Sequence, residues 1–137
     1  MSEEAQLTDT EDLQERLVEV QTLLARHKLV EDLVHRQEGP RHDLVEEVVH
    51  KQHLHELQAK LEPMHPADIA YVLEALPTDE RLIVWRLVNP ELEGEVLLEV
   101  SDAVRESLIE SMGRTELVAA AETLDADELA DLAPDLP

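Results

Sequence analysis

Apolar residues near the start of the chain recur every three or four positions, which is the spacing of one face of an α-helix. The first of these residues are Leu13, Leu17, Val20 and Leu24. Thr8 followed by Glu11 has the form of a capping box. The pattern therefore predicts a long helix from about 9 to 37.

Gly39 and Pro40 interrupt this pattern and predict the end of the first helix. A second amphipathic pattern follows, and its predicted buried side contains Leu44, Val45, Val48, Val49 and Leu57. Two consecutive helices with a short break between them predict a helical hairpin over residues 1–60. A coiled-coil dimerisation arm is the alternative, because the apolar spacing continues for too few heptads to separate the two.

The pattern changes at Met64, after which the sequence repeats with a period of about 24 residues. Pro66 aligns with Pro90, and Leu73 aligns with Leu97. The repeat predicts three pairs of short helices, at 66–76 with 79–88, 90–100 with 102–112, and 115–124 with 126–133. Such pairs cannot bury their apolar faces singly, so we expect residues 61–137 to stack as an α-solenoid or superhelix in an all-α chain.

Composition agrees with helices packed on helices. Aromatic residues make up 1% of the 137 positions, so the core must be built from Leu, Val, Ile and Ala. Length alone predicts a single compact domain. The chain has no cysteine, which excludes disulfides and thiolate metal sites.

The net charge narrows the class of partner. The chain carries 33 acidic residues against 11 Lys and Arg, a formal charge of -22. Nucleic acid is excluded as a partner because phosphate binding needs the opposite sign. Cations or basic surfaces fit this charge, and the alternative is that most of the acids serve solubility or a salt-adapted proteome.

An acidic pair lies near the end of the chain. Asp127 and Asp131 are four residues apart, which on a helix places both carboxylates on one face. No basic residue follows Arg114, whereas seven acidic residues do. Spacing alone leaves two interpretations open, a solvated helix face or a cation site.

The histidines suggest a second metal hypothesis. His50 and His53 share a helix face and offer two imidazoles to zinc, with His42 upstream and His55 pointing elsewhere. The sequence offers no matching third ligand, so a solvated histidine face is the simpler interpretation. His65 precedes Pro66 at a helix start and is expected to act as a capping or turn residue.

Catalysis and membrane insertion have no support in the sequence. Its three glycines form no phosphate-binding loop, and its hydroxyl residues make no nucleophile arrangement with histidine, so we expect no enzyme. The N-terminus is acidic and lacks an apolar signal sequence. No stretch approaches the roughly 20 apolar residues that span a bilayer, which predicts a soluble chain in the cytoplasm.

Three motifs in residues 64–137 add a resemblance to these patterns. They are His65-Pro66-x-Asp68, Glu95-Val96-Leu97 and Asp-Glu-Leu-Ala-Asp at 127–131. With them, the region resembles the cytosolic N-terminal domain of the MgtE family of magnesium transporters and channels. The hairpin before residue 60 is less diagnostic.

The resemblance implies a regulatory function. In that family the N domain is a superhelix of short helices, followed by two CBS domains and a membrane pore. Mg²⁺ ions bound between the N domain and the CBS pair keep the pore closed. The family's N-domain ligands correspond to Glu95, Asp127 and Asp131. The resemblance further implies a homodimeric transporter at the cytoplasmic face of the cell membrane, with the CBS pair and pore beyond the "LAPDLP" ending.

A protein-interaction scaffold is the alternative from a different class. The middle domain of the flagellar motor-switch protein FliG has similar helical repeats and would need no ion. The acidic ending at 127–131 favours the transporter, because a switch protein would present a basic or apolar docking face.

Overall fold

The computed structural model describes the backbone of residues 2–36 and 42–136, and these residues are almost entirely helical. The helices are α1 Ser2–Arg36, α2 His42–Leu61, α3 Pro66–Ala75, α4 Thr78–Arg86, α5 Pro90–Glu99, α6 Asp102–Ser111, α7 Arg114–Glu122 and α8 Ala126–Leu132. A short 3₁₀ turn, Ala133–Asp135, follows α8. No strand occurs in the described ranges. The all-α prediction is confirmed.

Contacts divide the chain into two compact units, Met1–Lys60 and Leu61–Pro137. In the first unit, α1 and α2 run antiparallel. The ion pairs Lys60 to Glu19 and Arg26 to Glu56, at 3.0 and 3.2 Å, fix this register.

The hairpin differs from the sequence predictions at its first helix. Helix α1 begins at Ser2 rather than near residue 9, so Thr8 is helical and is not a cap. The predicted break at Gly39 and Pro40 lies outside the described residues.

The buried face of α2 was only partly predictable. Leu57 is fully buried, as expected, but Leu44, Val45 and Val48 are exposed and their predicted burial is wrong. A helix with a single partner in its unit buries a narrow stripe, and the stripe here runs through His53 and Leu57.

The second unit contains the repeat. Each of its six helices lies within two residues of the predicted bounds. Helix α3 packs on α5 and α5 packs on α7, while α4 packs on α6. Equivalent helices therefore stack on each other from α3 to α7, whereas α8 packs mainly on α5, and the repeat prediction is confirmed.

Side chains at the helix starts explain why the repeat is regular. The Asn89 side chain accepts a hydrogen bond from the Glu91 amide at 3.0 Å, with Pro90 in the first turn of α5. Ser101 accepts from the Val104 amide and caps α6. His65 is the N-cap residue of α3, and its amide donates to Asp68 at 3.2 Å.

Two arginines one period apart stabilise the helix ends, and the sequence analysis missed them. Arg81 on α4 donates to the carbonyl oxygens of Leu73 and Leu76 at the end of α3. Arg105 on α6 donates in the same way to Leu97 at the end of α5. A cation at a helix C-terminus satisfies free carbonyls and complements the helix dipole.

Candidate functional site

The acidic pair is positioned by the cap of α8. Asp125 accepts a hydrogen bond from the Glu128 amide at 2.8 Å, and the Asp125 amide donates to the Glu128 carboxylate at 3.1 Å. This capping box starts the helix at Ala126. Leu132 is 1% exposed and anchors the opposite side of α8. Asp127 and Asp131 are consequently held one turn apart, both exposed.

Glu95 lies on α5, which packs directly against α8. All three of Glu95, Asp127 and Asp131 are exposed, and none has a hydrogen-bond or ion-pair partner among the described residues. They do not form a cluster with ligand atoms within 4.8 Å of one another in that part of the chain. The structure thus places three free carboxylates on two adjacent helices.

A comparison with known families decides between a transporter domain and a scaffold. The family model described as the MgtE intracellular N domain matches residues 64–137. The match covers more than half of the chain and all of the repeat region from Met64 onward.

This chain belongs to the MgtE N-domain family. The family consists of intracellular domains of magnesium transporters and is not a known enzyme family. The match argues against the FliG-like alternative. Among curated proteins, no sequence matches this chain closely enough to indicate a relative. No helix in the described part of this MgtE N-domain protein is both long and apolar enough to cross a bilayer.

A further carboxyl group of the MgtE N domain lies two positions before Glu95 in the sequence and is half-buried. Burial raises the pKa of Glu93 on α5 from 4.5 to about 7, and the negative charge of Glu116 on α7 adds to the shift. The folded state therefore prefers the protonated form. Protonation of this site contributes to stability fully below about pH 4.5, and the contribution is lost as the pH rises from 4.5 to 7.

We expect Glu93→Gln to stabilise the protein at pH 8 by about 1 kcal/mol, because glutamine removes the cost of ionising this site. This value is reduced from the full pKa shift because the side chain is partly exposed to solvent. The gain should disappear near pH 4, where the carboxyl group is protonated in both states. Urea unfolding at both pH values measures it, with Glu106→Gln on the exposed face of α6 as the control. A variant that is less stable than the parent at pH 8 would contradict the assignment.

The structure does not group His50 with His53, as the sequence suggested, but with two residues that the sequence analysis did not consider. His27 and Glu31 on α1 approach His50 on α2, and one ligand atom from each lies within 4.8 Å of the others. The Nε2 atom of His27 is 3.7 Å from the Glu31 carboxylate. The usable signal in the sequence was the four-residue spacing of His27 and Glu31, but only the hairpin register reveals that it faces His50.

His53 takes a different part from the one expected. Its ring stacks on His27, with centroids 3.5 Å apart and an interplanar angle of 6°. Burial lowers the pKa of His53 to about 4, helped by the charges of His27, His50 and Arg26. Burial also lowers the pKa of His27, against the opposing effect of Glu31. Burial thus favours the neutral form of both stacked rings. The side chain of His42 lies outside the described side chains.

Proposed function

We propose that this chain is a regulatory magnesium-sensing domain of a magnesium transporter or channel. Glu95, Asp127 and Asp131 supply carboxylates to Mg²⁺ shared with CBS domains of the same polypeptide, and the shared ions favour the closed pore. The full-length protein is a homodimer at the cytoplasmic face of the cell membrane. The observation that carries the proposal is the unpaired, exposed pair Asp127 and Asp131 on a capped helix.

The donor set suits magnesium. Mg²⁺ prefers oxygen ligands and keeps several of its water molecules, so one or two carboxylates from each partner are enough. A carboxylate that already forms an ion pair must release its partner before it can bind Mg²⁺. Glu95, Asp127 and Asp131 have no ion-pair partner among the described residues. No basic residue follows Arg114 in the sequence, so none on α8 itself competes with a cation for Asp127.

Charge repulsion supplies the coupling to domain movement. The chain carries a charge of -22, so a second acidic surface approaching α8 is repelled. A cation that binds these carboxylates on this chain, and binds more tightly when the two surfaces are together, stabilises the closed arrangement by an amount that grows with ion concentration. Lowering intracellular magnesium then releases the domains.

The double variant Asp127→Asn with Asp131→Asn tests the site on this chain. We expect the fold to be retained, with a stability change below about 0.5 kcal/mol, because relief of repulsion and loss of a favourable charge at the α8 N-terminus oppose each other. Amide NMR with MgCl₂, against NaCl at equal ionic strength, should show magnesium-specific shifts at α5 and α8 in the parent and none in the variant.

The matched control is Glu106→Gln with Glu110→Gln, a pair of exposed acids four residues apart on α6. This control should keep the shifts at α8. The proposal would be contradicted by magnesium-induced chemical-shift changes that are spread evenly over all acidic helices. It would also be contradicted if the changes at α5 and α8 persist in the asparagine variant. Unfolding of the aspartate variant would contradict the solvent-facing placement of the pair.

A further inference from the structure

We infer that His27, Glu31 and His50 form a binding site for a divalent transition-metal ion of the Zn²⁺ class. The site lies in the helical hairpin, outside residues 64–137 that match the MgtE family. It uses imidazole ligands and does not depend on the magnesium proposal.

The geometry is close to that of a bound ion. In a tetrahedral zinc site with Zn–N bonds of about 2.0–2.1 Å, ligand atoms are about 3.3 Å apart and two imidazole centroids are about 5 Å apart. Here the three ligand atoms lie within 4.8 Å of one another, and the centroids of His27 and His50 are 5.8 Å apart. Small rotations of two side chains close the difference. Glu31 and His50 are exposed and free to make them.

His27 is already held in place. Its side chain is 10% exposed, and the parallel ring of His53 covers one face at 3.5 Å. Ligand lone pairs lie in the plane of an imidazole ring, so two parallel stacked rings cannot both point at one ion. His53 is therefore a positioning residue, and His50 with Glu31 completes the ligand set.

A buried nitrogen of the positioning residue His53 lacks a polar partner among the described residues, and because this ring is stacked on His27 a water molecule, rather than the ion, would bond to it. The Nε2 atom of His53 is buried without a hydrogen-bond partner in the described structure. Buried polar atoms normally have such a partner. His27 and His53 also line a cleft of about 310 Å³ between α1 and α2, so water can reach this side of the two rings, although Glu31 and His50 are not among its lining residues.

The ligand types select the metal. Imidazole nitrogen suits Zn²⁺, Ni²⁺ and Cu²⁺, whereas Mg²⁺ prefers an all-oxygen environment. Two histidines and one carboxylate form a common protein donor set for zinc. The hairpin site therefore discriminates against the ion proposed for the acidic helices.

Isothermal titration of the untagged 137-residue chain with ZnCl₂, in excess MgCl₂ that occupies the surface carboxylates, tests the site. We expect one equivalent to bind, and His50→Gln to weaken binding at least about tenfold, since even outer-shell substitutions typically cost 10–100-fold. His55→Gln, an exposed histidine on the same helix, should bind as the parent does.

Cobalt provides a second readout on the same chains. Co²⁺ bound by His27 and His50 should give the visible absorption of a low-symmetry site, and this absorption should be lost in His50→Gln. Circular dichroism should show unchanged helix in each variant, and His50 is exposed, so its substitution leaves the core intact. Absence of zinc binding in the parent, or equal losses in His50→Gln and His55→Gln, would overturn the site.

Discussion

Replacing Arg105 with methionine should lower the free energy of unfolding of the second unit by about 3 kcal/mol, because it leaves part-buried carbonyl groups and a carboxylate without their donor. Arg105 is only 12% exposed. Its guanidinium donates to the Leu97 carbonyl at 2.6 Å and to Asp135 at 2.9 Å. Weaker bonds reach Leu98 and Val100. Methionine keeps the apolar stem of the side chain and removes all of these donors.

Two further arginines calibrate this loss. Arg81→Met removes two hydrogen bonds from the side chain to backbone carbonyl groups and, within the described residues, no ion pair. It should therefore lower the free energy of unfolding by less, about 2 kcal/mol. Arg86→Met removes an exposed charge with no partner among the described residues and should change stability by less than about 0.5 kcal/mol. Urea unfolding followed by the fluorescence of Trp85, which is 3% exposed, reports on this unit. Equal effects of the Arg105 and Arg86 substitutions would contradict the structure.

Gly94→Ala should destabilise the second unit by about 2 kcal/mol, although alanine is the better helix former by about 1 kcal/mol. A Cβ atom at Gly94 would lie 2.6 Å from the Ala120 carbonyl oxygen and 2.7 Å from the Thr123 hydroxyl. The Thr123 hydroxyl donates to that same carbonyl at 2.7 Å, so both obstacles are tied together. Helix α7 must therefore move away from α5 to admit a methyl group.

Gly113 is the matched control for this substitution. It is the N-cap residue of α7, its φ is -75°, and a Cβ there would meet nothing within 4 Å. Gly113→Ala should change stability by less than about 0.5 kcal/mol, because the weaker cap and the stiffer unfolded chain oppose each other. Chemical unfolding of both variants at one pH compares them. A stabilised Gly94→Ala variant would show that α5 and α7 are not in close contact.

The repeat could be predicted because its signals are local. Prolines, capping residues and apolar positions recur at one period, and each fixes a helix end within a few residues. The period also relates Arg81 to Arg105 and Leu73 to Leu97, so the carbonyl-capping arginines were present in the sequence as a signal that was not used.

The hairpin could not be predicted to the same depth. Which apolar residues a helix buries depends on how many partners it has, and periodicity does not count partners. Leu44 and Val48 show this, since both fit the helical pattern and both are exposed. The approach of His27 to His50 depends on the register between α1 and α2, which no local signal sets.

The acidic site residues were predictable to a degree between that of the repeat and that of the hairpin. The helix of Asp127 and Asp131 was predicted from the repeat and the four-residue spacing, and the structure confirms it with the Asp125 cap and with both side chains exposed. Glu95 lies on the helix next to α8 because α5 packs against α8, and this tertiary contact could not be predicted from local sequence patterns. Their assignment as magnesium ligands is a proposal that rests on the resemblance to the family and on the donor chemistry.

The most direct test of the magnesium account is thermal unfolding in MgCl₂ and in NaCl of equal ionic strength. It compares the parent, the Asp127/Asp131 asparagine variant and the Glu106/Glu110 glutamine variant. Charge screening acts alike in both salts. At ten times the dissociation constant, a bound ion adds about 1.4 kcal/mol, a rise of several degrees for a unit of this size. The account predicts this extra rise in the parent and the glutamine variant and its loss in the asparagine variant; identical magnesium responses in all three chains would contradict it.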